Sequence, residues 1–363
     1  MPTANDRIPH RAFAVLVPTA MIETGVLRGP MFGIEVAGTW SWLSTLLVVS
    51  VIFLNVYLLA AVVRRHGCPA YPDLLRELFG PVLGRVVLVL HGLAITLRLA
   101  RVNRTSAELI TLELLDRTPV WAVLVPGLII AAALARQGFE PVARFSALLV
   151  PIYYTGIMVL LALAQLRGDP AMLVDLTEFS LGKVLLAAFR LFGEMQGYTL
   201  LLALLPWAWR PERVVGPLML GVGLVGALSL LLATASASVL GTAAGTMTWP
   251  TLELVEAVGA PGLLVERVDA IFFIIWVLSI MDLSALTLVA SGYMLTAAVS
   301  PDRNPQVAVP IVAASAAVIA LLPPGFLQLE EAIRSGVATV PFIELMLPGT
   351  LWLASLLRRG RTT

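Results

Sequence analysis

Along this chain, long apolar runs alternate with short polar joints, and most of the charge sits in the joints. A helical bilayer crossing needs about 20 mostly apolar residues. The first half of the chain holds such runs at Ala12–Ala37, Trp40–Val63, Arg85–Leu109, Val120–Ala135 and Phe145–Leu166. The second half holds them at Leu181–Trp209, Val214–Leu240, Val268–Val299, Val307–Leu322 and Val337–Leu357. The pattern predicts ten membrane-spanning helices, of which the fourth and ninth are short and contain Pro126 and Pro310. Two longer joints, residues 66–84 and 241–265, predict short amphipathic helices, the second with Trp249 at headgroup depth.

Composition supports that reading. Apolar residues make up 59% of the chain and charged residues 13%, well below the quarter or so typical of soluble domains. The outer surface must therefore face lipid, and the fold class is all-α integral membrane. Residues 1–363 are expected to form a single polytopic domain. The run beginning at Ala12 continues to about Ala37, too long for a cleaved leader, so it is read as a retained helix. A net charge of +1 gives no attraction for nucleic acid.

The arginines test the span count. With the N-terminus inside, the inner joints hold Arg7, Arg11, Arg64, Arg65, Arg76, Arg85, Arg136, Arg144, Arg210, Arg213, Arg303, Arg358, Arg359 and Arg361. The outer joints hold only Arg117, Arg167, Lys183, Arg267 and Arg334. That surplus alternates joint by joint, as the positive-inside rule requires, and places both termini in the cytoplasm.

Two spans are poor continuous helices. The first contains Ile22-Glu23-Thr24-Gly25-Val26-Leu27-Arg28-Gly29-Pro30, and the sixth contains Phe192-Gly193-Glu194-Met195-Gln196-Gly197-Tyr198-Thr199. Both place glycines and charge at mid-span, and they occupy matching places in two halves of five, residues 12–166 and 181–357. Matched interruptions mark the binding site of inverted-repeat transporter folds of the LeuT type. An unwound turn exposes amides and carbonyls that no water satisfies, and a small zwitterion can satisfy both.

Several short motifs carry a family resemblance. They are Thr24-Gly25-Val26-Leu27 with Pro30, Ala37-Gly38-Thr39-Trp40-Ser41-Trp42-Leu43-Ser44, Tyr71-Pro72-Asp73-Leu74-Leu75 through Phe79-Gly80, and Leu97-Arg98 with Leu114-Leu115-Asp116-Arg117-Thr118-Pro119. Further along come Gly138-Phe139-Glu140-Pro141-Val142-Ala143-Arg144, Phe192-Gly193-Glu194 with Leu205-Pro206, and Val265-Glu266-Arg267-Val268-Asp269-Ala270 with Trp276. In this order and spacing the chain resembles the GerAB family, the membrane-embedded B subunits of spore germinant receptors, within the amino acid/polyamine/organocation superfamily. The resemblance implies a ten-helix fold in the spore inner membrane. It also implies a small nutrient ligand, often an amino acid, and A-subunit and C-lipoprotein partners. Glu23 and Arg28 depart from the family pattern, which has glycine and a small or hydroxyl residue there.

Charges inside spans need partners. Arg98, Arg101, Arg104 and Glu108 share one stripe of the third helix, with His91 two turns before Arg98. Arg101 and Arg104 are expected to snorkel to headgroups. Arg98 is too deep for that and is expected to pair with Glu23, Glu194 or a ligand carboxylate. Glu23 with Arg28 is an alternative local pair. Asp282, with Ser279, Ser284 and Thr287, is expected either to couple to Glu23 or Arg28 or to form a helix–helix hydrogen-bond network. Glu344 is a weaker case of the same kind.

The expected ligand site is Glu23, Thr24, Gly25, Val26, Arg98, Gly193, Glu194, Gly197 and Tyr198, with Arg28, Ser279, Asp282 and Thr287 in coupling or gating. One cysteine (Cys68) and three scattered histidines (His10, His66, His91) offer no disulfide and no metal spacing, and no nucleophile–base pair or phosphate loop is present. No enzyme activity, cofactor or metal is expected. A proton-coupled amino acid or amine transporter of the same superfamily is the competing reading.

Overall fold

A computed structural model describes residues 7–22, 24–174, 179–258, 268–301, 303–329, 331 and 339–358. Among these the secondary structure is helical, apart from one isolated bridge between Ile8 and Ala208. The helices are α1 (Phe13–Met21), α2 (Thr24–Ala37), α3 (Ser41–Arg65), α4 (Tyr71–Phe79), α5 (Pro81–Glu113), α6 (Val120–Ala135) and α7 (Phe139–Gln165). They continue with α8 (Leu181–Phe192), α9 (Leu200–Leu204), α10 (Val215–Val239), α11 (Pro250–Val258), α12 (Val268–Val299), α13 (Val309–Leu321) and α14 (Thr339–Arg358). Each predicted span therefore falls on helix, and α4 and α11 lie in the two long joints.

Among the described residues, five helical stretches are long and apolar enough to cross a membrane: Gly25–Arg65, Tyr71–Glu113, Phe139–Gln165, Val215–Val239 and Ala270–Val299. Helix α5 shows how sequence sets orientation. Leu83, Leu90 and Leu97, spaced by two turns, are exposed, whereas His91 and Arg98 on another face are buried. Leucine faces lipid and the cation faces protein, the only arrangement that keeps the charge out of hydrocarbon.

The joints sort into two ends. At one end Ile8 exchanges backbone bonds with Trp207 and Trp209 at 2.8 and 2.9 Å. His66 at the same end meets Ser355 near the close of α14 at 3.0 Å. At the other end Trp42 Nε1 donates to the Leu173 carbonyl at 3.1 Å, and Asp169 N donates to Ser238 O at 2.9 Å. These groupings match the inner and outer joints assigned from arginine.

The interrupted helices lie at the centre. α1 packs on α7, α10 and α12; α2 packs on α8, α10 and α11; α8 packs on α3. The first interruption falls at the start of the predicted segment Ile22–Pro30, ahead of its glycines and proline. Ile22 is extended (φ −76°, ψ 100°), and the helix resumes at Thr24 and runs through Gly25 and Pro30 to Ala37. Proline 30 removes the amide that would bond the Val26 carbonyl. The Thr251 hydroxyl of α11 donates to that carbonyl instead, so α2 continues. Trp249, from the same joint, is buried against Arg28. The second interruption, residues 193–199 between α8 and α9, lies where the sequence placed it.

Candidate functional site

The two interruptions touch. A Cβ on Gly25, in the first turn of α2, would overlap the backbone carbonyl of Glu194. Gly197 has φ +109°, a conformation that glycine alone adopts without strain. A Cβ there would overlap the Ala20 carbonyl and the Arg98 guanidinium. Glycine at both positions is thus a contact requirement.

Side chains from distant helices fill the broken ends. Arg98 Nη2 donates to Ala20 O in the last turn of α1 at 2.5 Å and to Gln196 O in the second break at 3.2 Å. A cation at the carbonyl end of a half-helix also meets the negative end of its dipole. The Glu344 carboxylate of α14 accepts from Gly197 N at 3.1 Å and from Thr199 N at 3.4 Å, just ahead of α9. The Tyr198 hydroxyl donates to Glu344 O at 2.6 Å and accepts from Asn55 Nδ2 at 2.9 Å. Gln196 Nε2 donates to the Gly193 carbonyl. Glu344 is thus part of the break, although it drew little attention in the sequence: its partners are 145–147 residues away.

The other in-membrane charges are paired inside the bundle. Glu194 Oε1 receives Arg101 Nη1 at 3.0 Å, and Arg104 Nη2 holds Glu108 Oε1 at 2.6 Å while Nη1 reaches the Ala320 carbonyl at 3.1 Å. The expected snorkelling of Arg101 and Arg104 does not occur: both side chains find a carboxylate within reach, and Arg104 is buried. Of the acceptors expected for Arg98, Glu194 is held by Arg101, Glu23 lies outside the described residues, and the described bonds of Arg98 go to backbone carbonyls.

Asp282 of α12 accepts from Ser146 at 2.6 Å, from Thr19 at 3.0 Å and from Tyr153 at 3.5 Å. It forms a network joining α1, α7 and α12, the second of the two expectations. Ser279 and Thr287 bond their own helix, to the carbonyls of Trp276 and Leu283 at 2.8 and 2.7 Å. Arg28 is buried between the rings of Phe32 and Trp249, its guanidinium carbon 5.4 and 5.5 Å from the ring centroids. Glu23 and the side chain of Thr24 lie outside the described residues, as do Glu266, Arg267 and the Asp269 side chain.

A cavity runs along α2 where it faces α8 and α10. Gly25, Val26, Gly29, Glu194, Met195 and Leu232 are among its lining residues. Of the sequence-chosen ligand residues, Gly25, Val26 and Glu194 line it. Arg98, Gly193, Gly197 and Tyr198 make hydrogen bonds within and across the breaks. The cavity volume is about 30 Å³, room for about two waters.

The sequence matches the spore germination protein (spore permease) family over residues 7–324. It is 22% identical over 298 residues to spore germination protein YndE of Bacillus subtilis (strain 168), covering 79% of this chain and 80% of that protein. It is 24% identical over 274 residues to spore germination protein B2 of the same organism, covering 72% of each. Among solved structures, MhsT in complex with L-phenylalanine superposes with a TM-score of 0.67 at 14% identity, over 95% of this chain and 87% of MhsT. A Na⁺-coupled sialic acid symporter superposes with a TM-score of 0.69 at 9% identity, over 98% of this chain and 80% of the symporter. The chain thus has the LeuT-type fold of these membrane transporters, with its two helix breaks meeting at the centre, and it belongs to the spore germination protein family.

Proposed function

We propose that this chain is a germinant receptor B subunit that binds a small nutrient, such as an amino acid, between its two helix breaks and signals germination with A and C subunits. In this reading it crosses the spore inner membrane ten times as one polytopic domain of two inverted halves, residues 12–166 and 181–357, with both termini cytoplasmic. The observation that carries the reading is the contact between the breaks, Gly25 against the Glu194 carbonyl, beside a cavity that Glu194 helps to line. The family assignment and the printed ligand of MhsT, L-phenylalanine, support a nutrient of amino acid type.

A volume of about 30 Å³ is too small for an amino acid, since it holds about two waters. Ligand entry therefore parts α2 from α8 and breaks or stretches the Arg101–Glu194 pair. Glu194 then meets the ligand ammonium, and the amides at the start of α2 meet its carboxylate.

The test is ligand-dependent thermal stability of the purified chain against amino acids, sugars and amines. A ligand at 100 times its Kd stabilises by about 2.7 kcal/mol. Gly29 faces the cavity, and the nearest neighbour to a Cβ there is Leu191 Cδ2 at 3.9 Å, so Gly29→Leu fills the space without striking backbone. One nutrient is expected to stabilise the wild type and to fail with Gly29→Leu and Glu194→Gln. Equal stabilisation of Gly29→Leu would remove the cavity from the site.

The transporter reading keeps one specific support, the intramembrane carboxylates Glu194 and Asp282 at the helix junctions. Counterflow of the stabilising nutrient in liposomes, lost on Asp282→Asn, would favour it. Binding without flux favours the receptor.

A further inference from the structure

Away from both breaks, α5, α6 and α12 enclose a second cavity of about 200 Å³. It shares no lining residue with the cavity along α2. Helix α6 packs on both of the other helices, and its Gly127 leaves the space open: a Cβ there would meet no atom within 4 Å. Gly25 and Gly197 are the opposite case, since a Cβ on either strikes backbone. Ile130, another lining residue, is exposed, so the cavity reaches the lipid-facing surface.

Four of the lining side chains carry nitrogen or oxygen: Asn103, Ser106, Trp276 and Ser284. Asn103 and Ser284 serve each other across α5 and α12, with Asn103 Nδ2 donating to Ser284 Oγ at 2.9 Å and to Leu99 O at 3.0 Å. Ser106 Oγ and Trp276 Nε1 have no hydrogen-bond partner among the described residues. Both residues are buried, with 4% and 0% of their surface exposed. A helix does not force this on a hydroxyl. Thr96, Ser146 and Thr287 each donate to the carbonyl four residues earlier, at 2.8, 3.1 and 2.7 Å. At hydrocarbon depth no bulk water serves an unpaired donor, so these two call for a partner inside the cavity.

Water suits this wall poorly. A buried water needs about two to four polar partners, and apart from the Asn103–Ser284 pair the wall offers two unpartnered groups among apolar side chains. An apolar cavity of about 150 Å³ takes benzene, so this one admits roughly eight to ten non-hydrogen atoms, the lipid-facing side adding length. An indole N–H only donates and a hydroxyl can donate, whereas a carbonyl oxygen has two lone pairs and no hydrogen. No lining residue is charged, which excludes ionised amino acids. We therefore propose that this cavity is a second ligand site, entered from the bilayer, for an uncharged, mostly apolar molecule of that size with a carbonyl oxygen. A two-chain lipid is too large for it. The proposal stands whether or not the chain binds a nutrient beside Glu194, because the two cavities are separate and opposite in chemistry.

The experiment is fluorine NMR of 4-fluoroacetophenone with the purified full chain in lipid nanodiscs, with empty nanodiscs to define the signal of probe dissolved in lipid. A bound resonance that saturates at one probe per chain and is displaced by unlabelled acetophenone is expected in wild type. Gly127→Leu fills the space from α6 and is expected to abolish that resonance. The oxygen-free analogue 1-ethyl-4-fluorobenzene is expected to bind at least tenfold more weakly than the ketone. Ser106→Ala and Trp276→Phe each remove one donor and are expected to shrink that preference. Should Gly127→Leu fail to fold by circular dichroism, Val123→Phe narrows the same cavity from the same helix and decides the point. No saturable resonance in wild type, its persistence when the cavity is filled, or equal binding of the two probes would overturn the proposal. So would a full preference for the ketone in both donor variants.

Discussion

Arg98 shows what one side chain does at the centre of this bundle. Its guanidinium bridges Ala20 O and Gln196 O, so a single residue of α5 closes the carbonyl ends of both breaks. Truncation to alanine leaves two buried acceptors without a charged donor, and bonds to charged groups contribute about 1.5–3 kcal/mol each. Arg98→Ala is therefore expected to destabilise by about 3 kcal/mol, read as a lowered unfolding midpoint in detergent. Arg98→Lys should recover only part of this, because an ammonium lacks the planar fork that spans two carbonyls. The depth of Arg98 was legible, because cations so far from a run's ends cannot reach water. Its partners were not legible: carbonyls have no signature in a sequence, and the obvious carboxylate, Glu194, is held by Arg101. Glu344 was undervalued for the same reason, since the amides that it bonds exist as a site only once α8 ends at Phe192.

At the scale of the element, glycine, proline and charge at mid-span correctly named the first and sixth spans as interrupted. The second break fills its predicted segment, and the first is confined to the start of its own, ahead of Thr24. Local rules read Pro30 as a breaker, and α2 passes through it because Thr251, 225 residues away, donates to the Val26 carbonyl that the proline frees. This predicts a specific coupling. Thr251→Val in the wild-type background leaves that buried carbonyl unsatisfied and is expected to cost about 1–3 kcal/mol. Pro30→Ala restores an amide four residues after Val26, and in that background Thr251→Val should cost less than about 0.5 kcal/mol, the scatter of independent sites. A double-mutant cycle by chemical unfolding measures the difference. Additive costs would mean that Thr251 anchors α11 and has no part in sustaining α2.

For the whole molecule, lipid made most of the architecture legible. Hydrocarbon demands apolar surface and internally bonded backbone, so long apolar runs become helices nearly wherever they occur. How those helices pack was not legible, since Leu90 and His91 are neighbours in sequence, yet one faces lipid and the other the core. Sidedness follows from charge and can be tested against the observed ends. Arg213 and Arg358 lie in joints of the inner class and Arg117 in one of the outer class, and all three are exposed. Cys68 sits in a left-handed turn (φ 58°) that glycine accepts, so Cys68→Gly gives a cysteine-free background without strain. In sealed right-side-out membranes, an impermeant maleimide is expected to label Arg117→Cys at once, and Arg213→Cys and Arg358→Cys only after permeabilisation. The native thiol supplies an internal check. Burial, with Glu212 nearby, pushes the Cys68 thiol above its ordinary range, and only the thiolate reacts. After permeabilisation its labelling should therefore be slow at neutral pH and speed up as pH rises. Immediate labelling of Arg358→Cys from outside would invert the orientation; labelling of Arg358→Cys on the side opposite Arg213→Cys would break the even count on which the two halves depend.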